Sequence, residues 1–309
     1  MDLLDRNRPT ALEQLGARFV QMLAPEEAPR EDERQFPPFG PDWLQFTAPA
    51  DWTWDWRWQL LVQEKLQKVA AGEIKRLLIS IPIRHGKTEL VTIRFSAWLL
   101  ERDPTTRIIL GAVTQDLANK FSREIKRIVL ERGLKLRPDA HKMTDWQTKQ
   151  GGGVKAAGVG TAIVGRGASC VILDDPLPGA DRADSEVERE RVWEWYKHDV
   201  WTRREPDAPV IVIFSRWHSD DLTGKLLQAQ KDGSGETWDY LNLPALAEED
   251  DPLGREPGQA LCPDRFDEEA LAISKQVLGR GFYALYQGRP QAAEGSLFKR
   301  EWFRYFRIE

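Results

Sequence analysis

The middle of the chain alternates between short apolar runs and stretches in which apolar residues recur at helical spacing. Five runs have the length and β-branched content of buried strands, at 76–82, 107–113, 169–174, 209–215 and, more weakly, 239–243. Helical stretches at 88–101, 114–131, 185–201 and 219–231 separate most of them. Strands that alternate with helices form a parallel sheet that is covered on both faces. We therefore predict an α/β fold of three layers with a mainly parallel sheet.

Segments outside this alternation divide the chain into three parts. Further helices are predicted at 11–23, 58–71 and 267–286, and a strand or hairpin at the Gly- and Ala-rich 154–163. The proline-rich, charged segment 24–42 is predicted to be an extended linker. After residue 248 the strand pattern ends. The predicted parts are an N-terminal extension with its linker at 1–50, a core at 51–246, and a small helical subdomain with a linker at 247–309.

Composition excludes several classes of protein. With 41% hydrophobic residues among 309, the chain can bury a sizeable core and is not disordered. Two cysteines cannot supply a disulfide framework or a four-ligand zinc site, and the four histidines lack metal-ligand spacing. No apolar run is long enough to span a membrane and no signal-peptide core is found, so we expect a soluble intracellular protein. The net charge of −5 confines any nucleic-acid binding to local patches.

The first motif is SIPIRHGKT at 80–88, where a predicted strand meets a predicted helix. Phosphate binding needs backbone N–H groups at a helix N-terminus, a lysine for the β/γ oxygens and a hydroxyl for Mg²⁺. Gly86, Lys87 and Thr88 match the second half of the G-x-x-x-x-G-K-[ST] pattern, but Ile81 replaces its first glycine. The alternative is an ordinary surface lysine. The strand–loop–helix setting favours a phosphate-binding loop (P-loop) for ATP and Mg²⁺.

Two further motifs follow predicted strands. The run CVILDD at 170–175 ends in two carboxylates, of which Asp174 is the candidate for holding Mg²⁺ and Asp175 the candidate base that polarises water. An Asp-Asp-Pro turn is the alternative. The run VIVIFSRW ends in Ser215 and Arg216, where an open α/β sheet binds ligands. These two side chains can sense the γ-phosphate, or Arg216 can pair with Asp220 or Asp221 to shape the loop.

Three segments in this order resemble the ATPase half of the large terminase subunit of tailed bacteriophages. They are RHGKTE, GRGASCVILDDPL and FSRWHSDDLTGKLL, and GFYALYQGRPQAAEGSLFKREWFRYF resembles the segment that leads into the terminase nuclease. The resemblance covers about residues 50–309. It implies an ASCE-type P-loop ATPase, in a family that also uses P-loops without the first glycine. It further implies a motor that drives double-stranded viral DNA through a portal protein into a capsid.

The resemblance also carries expectations about partners and place of action. The partners expected are double-stranded DNA, the portal protein and a small terminase subunit, with the chain forming a homo-oligomeric ring on the portal. The place expected is the host cytoplasm, transiently on the procapsid, and no membrane is involved.

Individual residues follow from the same resemblance. Arg84 and His85 belong to the P-loop that binds nucleotide, and Arg84 can act within its own subunit. Arg166, between two glycines, is the candidate arginine finger that reaches a neighbouring subunit, although each arginine can instead form a structural ion pair. Gln59, with Trp58, is the candidate for reading the adenine base; a tryptophan ribbon packed on the sheet is the alternative. Many relatives have glutamate where this chain has Asp175, which leaves the base open.

A basic patch at 120–142 is the candidate DNA surface. It holds eight basic residues against three acidic ones, and Lys120, Arg123 and Arg127 share one helical face. Such a face would contact phosphates without reading sequence, as translocation requires. A solvated helix face is the alternative.

Two rival functions stay open at this stage. A two-domain helicase needs a second α/β domain, for which the residues after Pro244 are too few. A nucleotide-binding structural protein without turnover is the other rival, because the first P-loop glycine is missing. The nuclease domain that relatives carry is expected beyond Glu309, so these residues are either an ATPase segment or the partner of a separate nuclease. DNA cleavage is not expected from them.

Overall fold

A single eight-stranded sheet organises the chain. The computed structural model describes residues 36–177 and 179–291. The strands are β1 Arg76–Ser80, β2 Arg107–Ala112, β3 Leu136–His141, β4 Asp145–Thr148, β5 Gly153–Gly158, β6 Cys170–Asp174, β7 Val210–Phe214 and β8 Asp239–Asn242. Their order in the sheet is β3-β4-β5-β2-β6-β7-β1-β8. Strands β5, β2, β6, β7, β1 and β8 are mutually parallel, which confirms the predicted mainly parallel sheet.

Helices cover the sheet on both faces. They are α1 Pro41–Gln45, α2 Arg57–Ala70, α3 Phe95–Arg102, α4 Gln115–Glu131, α5 Ala180–Ala183, α6 Glu186–Trp195, α7 Leu222–Lys231, α8 Glu268–Leu278 and α9 Arg280–Leu285. A π-helical segment, Thr88–Arg94, leads into α3, and a second, Tyr196–Val200, follows α6 before the short 3₁₀ turn Trp201–Arg203. Every residue of β1, β6 and β7 is buried, and successive strand side chains point to opposite faces. Both faces are therefore covered, and the fold has three layers.

Side-chain caps decide where several helices begin. The Thr114 hydroxyl accepts the N–H of Leu117 at the start of α4, and the Asp221 carboxylate accepts that of Gly224 at the start of α7. The cap at Asp221 explains why α7 begins later than the helix predicted at 219–231. The single helix predicted at 267–286 is two helices, because Gly279 has a φ of +53°, which interrupts the helical backbone.

The edge pair β3–β4 was not predicted from the sequence. Its first strand, LRPDAH, contains proline and charged residues and lacks an apolar run, which is typical of an edge strand. It pairs antiparallel with β4, and β4 pairs antiparallel with β5. The segment 154–163 contributes one strand, β5, which pairs with β2 rather than forming a hairpin of its own.

The compact unit that the structure describes begins at Pro38. Phe39, Trp43 and Leu44 are buried, and the Phe39 ring meets the Phe95 ring edge-on at 5.2 Å. The segment 38–50 thus packs on the fold through aromatic side chains. The helix predicted at 11–23 lies outside the described residues, and the three-part division of the chain stays a prediction.

The C-terminal segment packs on the loops that follow β1 and β7. Ala245, Leu271 and Phe282 belong to an apolar cluster that Ile83 and Trp217 join. The Ile83 N–H also donates to the Leu285 carbonyl at 3.3 Å. The two helices α8 and α9 are therefore attached directly to the P-loop. In the ranges 36–177 and 179–291, no helix is both long and apolar enough to cross a membrane.

Candidate nucleotide-binding site

The strand order brings the three motifs to one edge of the sheet. Strand β7 lies between β1 and β6, so the ends of the three strands are neighbours. Ser80 is in register with Phe214, and Asp174 with Ile213. The loops that leave these strands start from the same carboxyl edge, where open α/β sheets bind ligands.

The P-loop turns sharply between β1 and the following helix. Gly86 has a φ of +80°, a conformation that other residues rarely adopt, and its carbonyl accepts the N–H of Leu90 at 3.1 Å. Arg84 has a φ of +60° and its side chain is exposed. Gly86, the glycine that the motif retains, thus lies where the backbone conformation requires glycine. Ile81, at the position of the missing glycine, is buried in the core.

Lys87 is buried and contacts both other motifs. Its Nζ lies 2.7 Å from Asp175 Oδ2 and donates to Ser215 Oγ at 3.0 Å. Burial disfavours the ammonium, but the carboxylates of Asp175 and Asp174 outweigh it and raise the pKa of Lys87. The lysine is therefore a charged group that is held between two carboxylates.

Asp174 is fully enclosed at the end of β6. Its Oδ2 accepts the Thr92 hydroxyl at 2.6 Å, and the Thr88 hydroxyl lies close enough to this carboxylate to influence its pKa. Burial, and then the charge of Asp175, raises the pKa of Asp174 to about 6. The structure thus joins the hydroxyl and the carboxylate that were predicted to serve Mg²⁺.

The donor set fits Mg²⁺ rather than a metal held by protein ligands alone. The described residues contain no group of three or more His, Cys, Asp or Glu side chains that could hold a metal ion. Mg²⁺ is typically bound through one or two carboxylates together with substrate phosphates and water. Asp174 and Thr88 supply such a partial set beside the P-loop.

Asp175 is held in an unusual backbone conformation. Its φ is +42°, and its Oδ1 accepts the N–H of Ser215 at 2.5 Å. Asp and Asn tolerate this region better than most residues, because their short polar side chains bond locally. Both carboxylate oxygens of the candidate base are thus engaged, one by Lys87 and one by the backbone at the end of β7.

Arg216 shapes its own loop. Its Nε donates to Asp221 Oδ2 at 2.9 Å, and both side chains are buried. The other carboxylate considered, that of Asp220, instead pairs with Arg189 at 3.1 Å. The structural alternative for Arg216 is therefore present in the structure, and the role of Ser215 and Arg216 as γ-phosphate sensors stays a prediction.

A cleft of about 270 Å³ opens beside the P-loop. Its lining comprises Asp51, Trp52, Thr53, Trp54, Trp56, Gln59, His85, Gly86, Glu89 and Arg265. Gln59 is one of these residues, and its amide donates to the Thr53 carbonyl at 3.2 Å and accepts the Trp56 N–H at 3.2 Å, so its reading of the adenine base stays a prediction. Trp58 is not among the lining residues: it is buried in the core with 1% of its surface exposed.

His85 forms the floor where the cleft meets the C-terminal segment. Its Nδ1 lies 2.9 Å from the Ile83 carbonyl, and its ring stacks on Phe266 at 5.0 Å. Burial lowers the pKa of His85 to about 4, so the ring is neutral near pH 7. Its buried Nε2 has no hydrogen-bond partner among the described residues.

Among the described residues, the two candidate finger arginines make no polar contact with the centre of this site. Arg166 forms an ion pair with Asp145 on β4, and its side chain is 10% exposed. In the part of the chain that the structure describes, neither Arg166 nor Arg84 contacts Lys87 or the two aspartates through an ion pair or hydrogen bond. The ion pair that was considered as the alternative for Arg166 is thus present, and its action on a neighbour stays a prediction.

The candidate DNA face is exposed on α4 but partly neutralised. Lys120, Arg123 and Arg127 are all exposed. Arg127 pairs with Glu131 at 2.8 Å and with Glu124 at 3.1 Å, on the same helix. The remaining positive charge of this face lies towards Lys120 and Arg123.

Three residues of the site were missed from the sequence. Thr92 follows Thr88 by four positions, a spacing that could have placed both on one helical face. Arg94 is buried, and its guanidinium lies over the rings of both Trp52 and Trp54, at 5.2 and 5.1 Å, so it fixes the aromatic wall on the helix that follows the P-loop. Arg265 lies far along the chain, and no local pattern pointed to it.

Comparison with known proteins identifies the family of the chain. A family model described as "Terminase large subunit, T4likevirus-type, N-terminal" matches residues 78–305. No curated protein is similar enough to the chain to count as a match.

Solved structures of large terminases resemble the chain at low identity. The large terminase of bacteriophage HK97 is 16% identical, with a TM-score of 0.48, over 74% of this chain and 50% of that one. The large terminase of a thermophilic bacteriophage is 12% identical, with a TM-score of 0.47, over 77% and 56%. The chain thus spans about half the length of these structures. Since the family match covers well over half of the chain and includes the three motifs, the chain, an α/β protein with a mainly parallel sheet, belongs to the family of large terminase subunits that this N-terminal model describes.

Proposed function

We propose that the chain is the ATP-hydrolysing part of a DNA-packaging motor, which moves double-stranded viral DNA into a capsid. The observation that carries the proposal is the contact of Lys87 with both Asp175 and Ser215. It joins the P-loop to the ends of β6 and β7, so the three motifs act on one bound phosphate group. Membership of the terminase family supports DNA as the cargo.

Each side chain has a role in this proposal. Lys87 binds the β/γ oxygens of ATP, and the N–H groups around Gly86 bind the phosphates. Thr88 and Asp174 hold Mg²⁺, which would neutralise phosphate charge when bound. Asp175 orients the attacking water and accepts its proton, and the cleft lined by Gln59 and the tryptophans receives the base.

Hydrolysis can reach the rest of the molecule through two contacts. Ile83 in the P-loop and Trp217 after Arg216 both join the apolar cluster of the C-terminal segment. A change at the phosphate that moves either loop therefore shifts α8 and α9, which supports Ser215 and Arg216 as the coupling elements. In the assembled ring, Arg166 of one subunit would serve its neighbour, or Arg84 its own site. Membership of the family also supports the portal protein and the small terminase subunit as partners. It supports the host cytoplasm, transiently on a procapsid, as the place of action.

The test is ATP turnover per subunit, measured over a wide range of protein concentration with and without double-stranded DNA. If the wild type turns over ATP and Lys87→Ala abolishes that turnover, the result supports the proposed site. A rate per subunit that rises with concentration would show sites completed between neighbours, and a constant rate would place the finger within the chain, at Arg84. ATP binding without turnover under every condition, including with portal protein, would contradict the proposal and favour a nucleotide-binding scaffold.

A further inference from the structure

One wall of the nucleotide cleft comes from the C-terminal segment. Arg265 lines the same cleft as Gly86 and His85, although about 180 residues separate them in the chain. It follows the bridge of Leu246 with Ala260 and lies within the turn that Cys262 closes on Phe266. This wall is therefore formed by residues that lie outside the three motifs at the edge of the sheet.

The turn that carries Arg265 is rigidly placed against the P-loop. The N–H groups of Arg265 and Phe266 both donate to the Cys262 carbonyl, at 3.0 and 2.8 Å. Cys262 is buried, with 2% of its surface exposed, and the Phe266 ring stacks on His85 at an interplanar angle of 25°. The position of Arg265 beside the cleft is thus set by packing and by backbone hydrogen bonds.

The Arg265 guanidinium has no carboxylate partner among the described residues. It lies over the Phe266 ring, 6.0 Å from the ring centroid. Arg255, in the same segment, is instead fully engaged by Asp251 at 2.6 Å. Since unpaired guanidinium groups suit phosphates and other anions, the two arginines have different roles.

Arg265 is the positively charged side chain among the residues that line the cleft. The lining holds two carboxylates, Asp51 and Glu89, and Glu89 is neutralised by its ion pair with Arg94. His85 is neutral near pH 7, and Lys87 faces Asp175 rather than this lining. An anionic ligand in the cleft therefore meets one positively charged lining side chain, that of Arg265.

We propose that Arg265 binds the part of the nucleotide that ATP and ADP share, on the side of the α-phosphate and the ribose. The inference rests on the proposed function and adds a binding residue from the C-terminal segment. Gly86 belongs to the loop whose N–H groups hold the α- and β-phosphates, and it lines this cleft. Asp175 and Ser215, beside which the γ-phosphate would lie, do not line it. The position of Arg265 thus favours contact away from the γ-phosphate.

The experiment compares nucleotide affinity in the full chain and its variants. Fluorescent ADP is titrated directly, and ATPγS by competition, for the wild type, Arg265→Ala, Arg265→Lys and Lys275→Ala. Lys275 is an exposed cation on α8 that does not line the cleft, so its variant controls for net charge. Arg265→Ala should raise the Kd of both nucleotides roughly tenfold, the range of a charge-assisted hydrogen bond, with Arg265→Lys between the two.

A second readout separates binding from a structural role. The Kd of the wild type should rise more steeply with salt than that of Arg265→Ala, because the salt-sensitive contact is absent from the variant. Thermal unfolding of the two proteins should coincide, since the side chain makes no ion pair among the described residues.

The possible results are distinct. An unchanged ADP Kd in Arg265→Ala, with normal wild-type binding, overturns this proposal and leaves the proposed function standing. A loss confined to ATPγS also overturns it, because the guanidinium would then contact the γ-phosphate. A wild-type chain that binds neither nucleotide overturns both proposals.

Discussion

Lys87 Nζ and Asp175 Oδ2 lie 2.7 Å apart, so the P-loop lysine neutralises the carboxylate that we propose as the base. Asp175 is also bound by the N–H of Ser215 through its other oxygen. In the proposed function, phosphate oxygens would draw Lys87 away, and Asp175 would then lose its partner and become available to water. The contact would thus keep the proposed base occupied until nucleotide is bound.

The Lys87–Asp175 pair should show energetic coupling in a double-mutant cycle. Lys87→Ala is expected to lower the free energy of unfolding by about 1–3 kcal/mol, because Asp174 and Asp175 lose their common counter-charge. Adding Asp175→Asn should recover about 1–2 kcal/mol of this loss. Urea unfolding of the four proteins measures the coupling.

The exposed pair Lys75–Asp207 provides the control cycle. Its side chains are 51% and 87% exposed, and such surface pairs couple by less than about 1 kcal/mol. Equal coupling in both cycles would show that Lys87 and Asp175 are not a buried pair in solution.

Asp175→Asn should separate binding from hydrolysis. The amide keeps the size of the side chain and can still accept the Ser215 N–H, but it cannot take a proton from water. Turnover should fall by about 10²–10⁴-fold, the usual contribution of a general base, while the Kd of ADP changes little. Asp175→Glu, which restores the carboxylate, is the matched control and should retain more turnover than Asp175→Asn, although its longer side chain suits the φ of +42° less well. Turnover of Asp175→Asn close to that of wild type would place the base elsewhere.

Folding stability should depend on His85 between pH 7 and pH 5. The pKa of His85 is lowered from 6.5 to about 4 in the folded chain, so below pH 6.5 the unfolded chain binds a proton that the folded chain does not. Stability therefore falls as the pH falls through this window. The loss from this residue should be about 2 kcal/mol between pH 7 and pH 5.

The comparison is with His85→Phe, whose ring can keep the stacking on Phe266. Denaturant unfolding at both pH values should give the variant a pH dependence smaller by that amount, whatever its absolute stability. Identical pH dependences would mean that the imidazole is protonated, and so accessible, in the folded chain.

Arg166 can be tested against its partner Asp145. If the ion pair alone matters, Arg166→Ala and Asp145→Ala should lower the unfolding free energy by similar amounts, about 1–3 kcal/mol, and leave turnover per folded subunit unchanged. If Arg166 is a finger, it accelerates ATP turnover in the neighbouring subunit. Asp145→Ala should then keep the rise of turnover with protein concentration, and Arg166→Ala should lose it. Turnover over a concentration series, with unfolding curves for both variants, distinguishes the two.

The residues of the candidate DNA face should contribute unequally. Lys120→Ala and Arg123→Ala should each lower affinity for double-stranded DNA and reduce its salt dependence by about one phosphate contact. Arg127→Ala should have a smaller effect, because Glu124 and Glu131 already bind its guanidinium. Binding to DNA of unrelated sequences at several salt concentrations measures this. Equal losses for all three would show that the ion pairs of Arg127 open on DNA.

Local sequence patterns were sufficient to predict five strands and the edge of the sheet at which the three motifs meet. Apolar runs of strand length that alternate with helices are typical of a parallel sheet covered on both faces, and the five predicted strands correspond to β1, β2, β6, β7 and β8. Because parallel strands share a carboxyl edge, Lys87, Asp174 and Ser215 could be expected together before any contact was known. The cap at Asp221 and its pairing with Arg216 likewise involve neighbours in the chain.

Long-range side-chain partners were decided only by the tertiary structure. The sequence by itself determined the five apolar strands of the sheet, the P-loop and the positions of the carboxylates, because periodicity and motif spacing act over a few residues. It could not show that Arg166 pairs with Asp145 on an unpredicted strand, or that Arg265 lines the cleft beside the P-loop. An arginine's partner depends on which loops the folded core brings together, and that choice is made by packing across the whole chain rather than by the residues beside it.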